Sequence, residues 1–135
     1  MCLFPLNERR LGFQLPTKVK ESYDEALRCD EAGANIATAV MVRRTLEAVV
    51  FEFDPKSRTL FEALKELKGK GVISDELLRW AHGLRFLGNI GAHPTADVVS
   101  DEDANDALDF LQAILETLYH FRPRFQAMQA RRGQT

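Results

Sequence analysis

The chain has 135 residues, 45% of them hydrophobic and 28% charged, with a formal net charge of −2. That length fits one domain with one sizeable core, and the composition excludes a disordered chain. The charge excludes a global basic field, so any nucleic-acid binding has to come from a local site. The longest apolar runs are too short to span a bilayer, and Met1 to Arg10 lacks the apolar core of a secretory signal. Cys2 and Cys29 are far apart and not in a metal spacing. The expectation is a cytoplasmic protein with free thiols, no metal, no cofactor and no membrane partner.

Residues 1–14 show no period and read as an irregular arm. Pro16 suits the start of a first helix, in which Val19, Tyr23, Ala26 and Leu27 recur at helical spacing. Gly33 stands where a helix C-terminus favours glycine. Asn35 is placed to cap a second helix running to about Glu52. Ile36, Val40, Leu46 and Val50 line one side of it, and Val42 and Val49 extend the apolar surface. A helix apolar over most of its circumference is expected at the centre of the fold. Arg43 and Glu47 fall in the middle of the Ile36/Val40/Val50 face, one turn apart, and can pair.

Asp54-Pro55-Lys56-Ser57 is a turn. A short third helix follows over about Thr59 to Lys68, with Leu60, Leu64 and Leu67 inward and Lys65, Glu66 and Lys68 outward. Gly69 and Gly71 end it. Ser74-Asp75-Glu76 opens a fourth helix with a capping serine and two acids at the positive end of the dipole. Leu77, Trp80, Leu84 and Leu87 form its apolar stripe. His82, Arg85, Asn89 and His93 share a separate arc of about 80°, with Leu78 inside it and Phe86 at its edge. This helix should stop near Ala92, before Pro94. Ser100-Asp101-Glu102-Asp103 resembles a capping box and opens a fifth helix, apolar from Ala104 to Leu118. Pro123 ends or kinks it. Arg122, Arg124, Arg131 and Arg132 make the C-terminus basic, and a solvated tail is expected there. With no repeat and no alternating segment, the fold class is all-α, an up-and-down bundle of four to five helices. The division is an arm at 1–14, one helical domain at 15–122 and a basic tail at 123–135.

The most informative stretch is Arg85 to His93. A cation, an amide and an imidazole four residues apart lie in one line on a helix. Two readings fit. In one, the line is a structural seam whose polar groups satisfy each other, with Arg85 paired to an acid such as Glu47. In the other it is a phosphate site: Arg85 holds the phosphate, Asn89 fixes a hydroxyl and His93 transfers a proton. Glu47 would then orient Arg85. Gly88 and Gly91 do not form a phosphate loop; they suit close helix packing.

Tyr23-Asp24-Glu25-Ala26, the run from Ala39 to Glu47, Gly71-Val72-Ile73-Ser74 and the run from Arg85 to His93 together resemble an uncharacterised bacterial branch of the HEPN (higher eukaryotes and prokaryotes nucleotide-binding) superfamily. The resemblance covers roughly residues 15–121. It implies an all-α bundle, HEPN-like, that forms a homodimer with its polar motif near the dimer cleft. Many such domains are metal-independent ribonucleases of toxin–antitoxin, abortive-infection and restriction systems. Others are binding or dimerisation modules without catalysis. Their ribonuclease motif is an Arg, commonly followed by a polar residue, and a His further along. Here Arg85 and His93 would be the catalytic pair, and Asn89, Arg43 and Glu47 would line the binding cleft. Seven residues separate Arg85 from His93, more than that motif has, and Phe86 follows Arg85. In a ribonuclease, His93 would take the proton of a ribose 2′-hydroxyl and Arg85 would stabilise the phosphorane. The implied partners are a second copy, RNA or a nucleotide, and an antitoxin or another defence component. The rival reading is a non-catalytic interaction module.

Overall fold

A computed structural model describes residues 9–56, 59–93 and 98–133. Cys2, Ser57 and Pro94 lie outside them. The elements are helical throughout: α1 (Thr17–Glu31), α2 (Asn35–Phe53), α3 (Leu60–Gly69), α4 (Asp75–Ala92), α5 (Asp101–Glu116), a π-helical turn (Thr117–Phe121) and α6 (Arg122–Arg131). Among the described residues there is no strand, and no helix is long and apolar enough to cross a membrane.

α2 is the central helix, packed against α1, α3, α4 and α5. Its buried positions are Thr38, Ala39, Val42, Thr45, Leu46, Val49 and Val50. The two buried threonines donate to carbonyls one turn back, Thr38 to Ala34 at 2.9 Å and Thr45 to Met41 at 2.7 Å, so neither hydroxyl is stranded. The expected Ile36/Val40/Val50 face is therefore rotated. Ile36 is 58% exposed, because the helix turns Thr38 and Ala39 inward at this end. Arg43 and Glu47 lie at the margin of the buried surface, not in its middle. Asn35 is not a cap either. It is the first helical residue, and its Nδ2 donates to Asp101 Oδ1 at 2.7 Å, tying the start of α2 to the start of α5.

The remaining boundaries follow local chemistry. Pro16 precedes α1 as its N-cap, and Gly33 adopts φ +74° just beyond its end. Thr59 and Ser74 cap α3 and α4 by accepting from the backbone N–H of Glu62 (3.1 Å) and Leu77 (3.2 Å). Ser100 and Asp103 form a full capping box, with reciprocal bonds of 3.0 and 3.1 Å. Leu108, Leu111 and Leu115 of α5 have no exposed surface. Burying each such side chain contributes about 1.5–3 kcal/mol.

The chain near Pro123 departs from expectation. Proline has no N–H to give and its ring crowds the carbonyl one turn back. The helix absorbs this with a π turn just before it, and the Arg122 N–H bonds to Thr117 O. The path then continues as α6 to Arg131, where a tail without helix was expected.

The arm is irregular over residues 9–16 but anchored. Arg9 pairs with Asp109 at 2.8 Å and donates to Asn105 Oδ1 at 2.7 Å. Tyr23 Oη donates to the Arg9 carbonyl at 2.6 Å. Phe13 stacks on His120, with ring centroids 5.1 Å apart. Burial pushes the Tyr23 hydroxyl up to about 12, so it stays a donor.

Candidate functional site

α4 presents three sides. Leu77, Ala81, Leu84 and Gly88 are buried. Gly88 and Gly91 meet α2, where an added Cβ at Gly88 would stand 2.5 Å from Arg43 Cβ and 3.1 Å from the Ala39 carbonyl oxygen. At Gly91 it would stand 3.1 Å from Ile36 O. These contacts show that α2 and α4 run antiparallel and that the glycines permit the approach. One flank of α4 carries His82, Arg85 and Asn89, and the first two of these meet Phe61 of α3. The other faces α5 and carries Trp80, Leu87 and Ile90.

The polar flank contains an aromatic centre. Phe61 of α3, 43% exposed, has the Arg85 guanidinium carbon 5.2 Å and Lys65 Nζ 5.3 Å from its ring centroid. The His82 ring lies 5.0 Å from the same centroid. Two cations thus lie by one ring, drawn by its π cloud, and an imidazole packs against the same ring. Buried Arg85 Nε and His82 Nδ1 have no hydrogen-bond partner among the described residues. Burial first, then the charges of Arg85 and Lys65, hold the His82 pKa below its ordinary value. The imidazole is accordingly neutral at neutral pH.

The sequence-derived residues separate. Arg43 Nε meets Glu47 Oε2 at 3.3 Å, so this pair forms within α2. Glu47 does not hold Arg85, and among the described residues no carboxylate pairs with Arg85. Arg43 nonetheless backs onto Gly88, in the turn of α4 that runs from Arg85 to Asn89. His93 leaves the line. It is the C-cap of α4, with φ −122° and ψ 140°, and is exposed. The helical register thus reaches Asn89 and stops short of the imidazole. Among the described residues no three His, Cys, Asp or Glu side chains converge.

Comparison with known families decides the chain's membership. The family described as "Domain of unknown function (DUF4145)" matches residues 24–131. The chain belongs to the DUF4145 family. The match runs from the middle of α1 to the end of α6, so α6 is part of the family's domain rather than an appendage to it. A shorter similarity links this DUF4145 chain to nicotinate phosphoribosyltransferase pncB2 of Mycobacterium tuberculosis, in strains CDC 1551 / Oshkosh and ATCC 25618 / H37Rv. Each is 36% identical over 69 residues, which is 51% of this chain and 14% of the transferase. No solved structure matches.

Phe61 escaped the reading of the sequence, which gave Lys65 only a place on the outer face of α3. Phe61 stands off the Leu60/Leu64/Leu67 stripe of α3 and one turn before a lysine. An aromatic outside an apolar stripe beside a cation is the signal that marks it.

Proposed function

We propose that this DUF4145 domain binds the phosphate of single-stranded RNA or of a nucleotide on the α3–α4 flank, in the manner of a HEPN-like module. One observation carries the reading: Arg85 lies on Phe61 beside Lys65 with no acidic partner among the described residues. Charges on a protein surface are commonly neutralised by neighbours; here the positive charge is concentrated and left for an external anion. The ring holds the guanidinium by a cation–π contact, and its terminal N–H groups are the donors for phosphate oxygens. Phe61 also offers exposed aromatic surface for an unstacked base. With a net charge of −2 overall, binding depends on this local site.

Recognition is preferred to cleavage because nothing among the described residues positions His93. A general base needs a fixed approach to the hydroxyl it deprotonates. The defence or toxin–antitoxin setting and a homodimeric state rest on the HEPN resemblance.

The test is a fluorescence-anisotropy titration of a labelled single-stranded RNA at several salt concentrations, with ADP and inorganic phosphate as competitors. Arg85→Ala should weaken binding by roughly 10- to 100-fold, as expected for a charge-assisted contact of about 1.5–3 kcal/mol. Lys65→Ala should weaken it less, and Arg79→Ala on the other flank should leave it unchanged. Wild-type protein that binds neither RNA nor ADP nor phosphate would overturn the proposal. In the same samples, RNA cleavage that survives EDTA and disappears in both Arg85→Ala and His93→Ala would replace recognition by catalysis.

A further inference from the structure

The basic flank of α3 and α4 holds one titratable group that phosphate recognition has not yet used. The His82 ring lies 5.0 Å from the Phe61 centroid, and Arg85 Cζ and Lys65 Nζ lie 5.2 and 5.3 Å from the same point. Each cation is therefore within about 10 Å of the imidazole, inside one screening length at 0.1 M salt. His82 and Arg85 are also three residues apart on α4, which makes them neighbours on its surface.

The surroundings of His82 are positive. Among the described residues the charges that act on it are Arg85 of α4 and Lys65 of α3. The acids of the adjoining helices have other partners or other faces. On α3, Glu62 accepts from Thr59 Oγ1 at 3.1 Å, and Glu66 is also engaged. On α4, Asp75 pairs with Lys68 and Glu76 with Arg79, both at 3.2 Å. On α2, Glu47 pairs with Arg43 at 3.3 Å. Asp103 and Asp106 of α5 line the groove on the opposite flank of α4.

Two effects therefore oppose an imidazolium here. Burial is one, and Nδ1 has no hydrogen-bond partner among the described residues to offset it. The two cations are the other. An anion held by Arg85 and Lys65 removes the second effect, because it neutralises their charge and attracts a proton to the ring beside them.

We infer that His82 is the third cation of the anion site, neutral while the site is empty and protonated once a phosphate occupies it, so that binding draws a proton from solvent. The inference rests on the phosphate reading of this flank and adds a regulation to it. Water or buffer supplies the proton, and the phosphodiester stays a monoanion throughout. Linkage makes the effect reciprocal: if the anion raises the proton affinity of His82 tenfold, the proton raises the affinity for the anion tenfold. Free His82 titrates below its ordinary 6.5, so the gain begins as the pH falls through the value in the complex and levels off below the value in the free protein. Affinity should rise by roughly 3- to 10-fold from pH 7.5 to pH 5.5.

The experiment is an anisotropy titration of a 5′-hydroxyl oligouridine carrying a pH-insensitive label, at constant ionic strength across that range. Its phosphodiesters and bases do not titrate there, whereas inorganic phosphate and ADP do. Calorimetry at pH 6.5 in two buffers of different ionisation heat counts the protons, and an uptake of roughly half a proton per site is expected. His82→Asn should flatten the profile and abolish the uptake. His120→Asn, whose native ring stacks on Phe13 of the arm, should keep both. Histidine ring resonances of the wild-type protein, titrated with and without the oligouridine, give a readout that needs no variant: one imidazole should hold its proton to higher pH in the complex. Binding that is equally tight at both pH values, with no proton taken up, overturns the inference and leaves the phosphate reading standing. Protein that binds at neither pH overturns both. A profile kept in His82→Asn but lost in His93→Asn moves the proton to His93 and overturns the assignment.

Discussion

The α2–α4 seam is tested most directly by adding one methyl group at Gly88. A Cβ there would stand 2.5 Å from Arg43 Cβ, against an ordinary carbon–carbon contact of about 3.5–4.0 Å. Arg43 Cβ is fixed to the backbone of α2, so it cannot swing aside as a side-chain tip could. The helices have to move apart by roughly 1 Å, and every contact along the seam weakens with them. Overpacking of this kind costs about 1–3 kcal/mol, while replacing a mid-helix glycine by alanine returns up to about 1 kcal/mol of helix propensity. The net for Gly88→Ala is a loss of about 1–2 kcal/mol. For 135 residues, at about 2.1 cal/mol/K of unfolding entropy per residue, the melting temperature drops by roughly 4–7 °C. Gly83 is the control, in the same helix but with no atom within 4 Å of an added Cβ. Gly83→Ala collects the propensity term alone and should raise the melting temperature by roughly 2–4 °C. Thermal denaturation of the two variants beside wild type decides the matter. A Gly88→Ala protein that melts as high as Gly83→Ala would refute the close approach of α2 and α4.

Other substitutions probe single contacts. Tyr23→Phe removes the hydroxyl that holds the Arg9 carbonyl and should cost about 0.5–1.5 kcal/mol in urea denaturation, with faster amide exchange in the arm. Glu47→Gln removes the partner of Arg43, but Glu47 is 48% exposed and the pair lies one turn apart on α2. Its loss should change stability by no more than about 0.5 kcal/mol; a marked drop would revive the structural-seam reading of these charges. His82 gives a pH signature. Its folded pKa lies below the ordinary value of 6.5, so the unfolded chain takes up the proton first. Its stabilising contribution is therefore complete above pH 6.5 and declines as the pH falls from there towards the lowered value. His82→Asn should abolish that part of the decline when denaturation midpoints are compared between pH 7.5 and pH 5.5.

The all-helical class and most helix limits were legible because they depend on neighbours in sequence. Thr59, Ser74 and Ser100 sit next to the amides they cap, and Gly33 lies just past the helix it ends. Leu77 and Leu84, or Leu108, Leu111 and Leu115, reveal a buried face by spacing alone, since a helix repeats every 3.6 residues. The rotation of α2 was not legible. Threonine hydroxyls that bond back to their own helix can be buried without outside help, so Thr38 and Thr45 took interior places that a hydrophobicity pattern assigns to Ile36. Pro123 was read as ending or kinking the helix because a local rule forbids the ordinary turn, and the chain answered with a π turn and a further helix.

The candidate site divides the same way. Sequence by itself determined that Arg85 and Asn89 share one face of α4, because one turn of helix fixes that relation wherever the helix lies. It also determined that Arg43 can reach Glu47, four residues along the same helix. Whether Arg85 faces an acid, a ring or solvent depends on what another helix brings beside it, and only the tertiary structure decided that. It put Phe61 of α3 against Arg85 with Lys65 by the same ring, kept Glu47 with Arg43, and ended the helical register before His93. Covalent spacing propagates along a helix for a few turns; the contents of the space across from it are set by packing between segments distant in the chain.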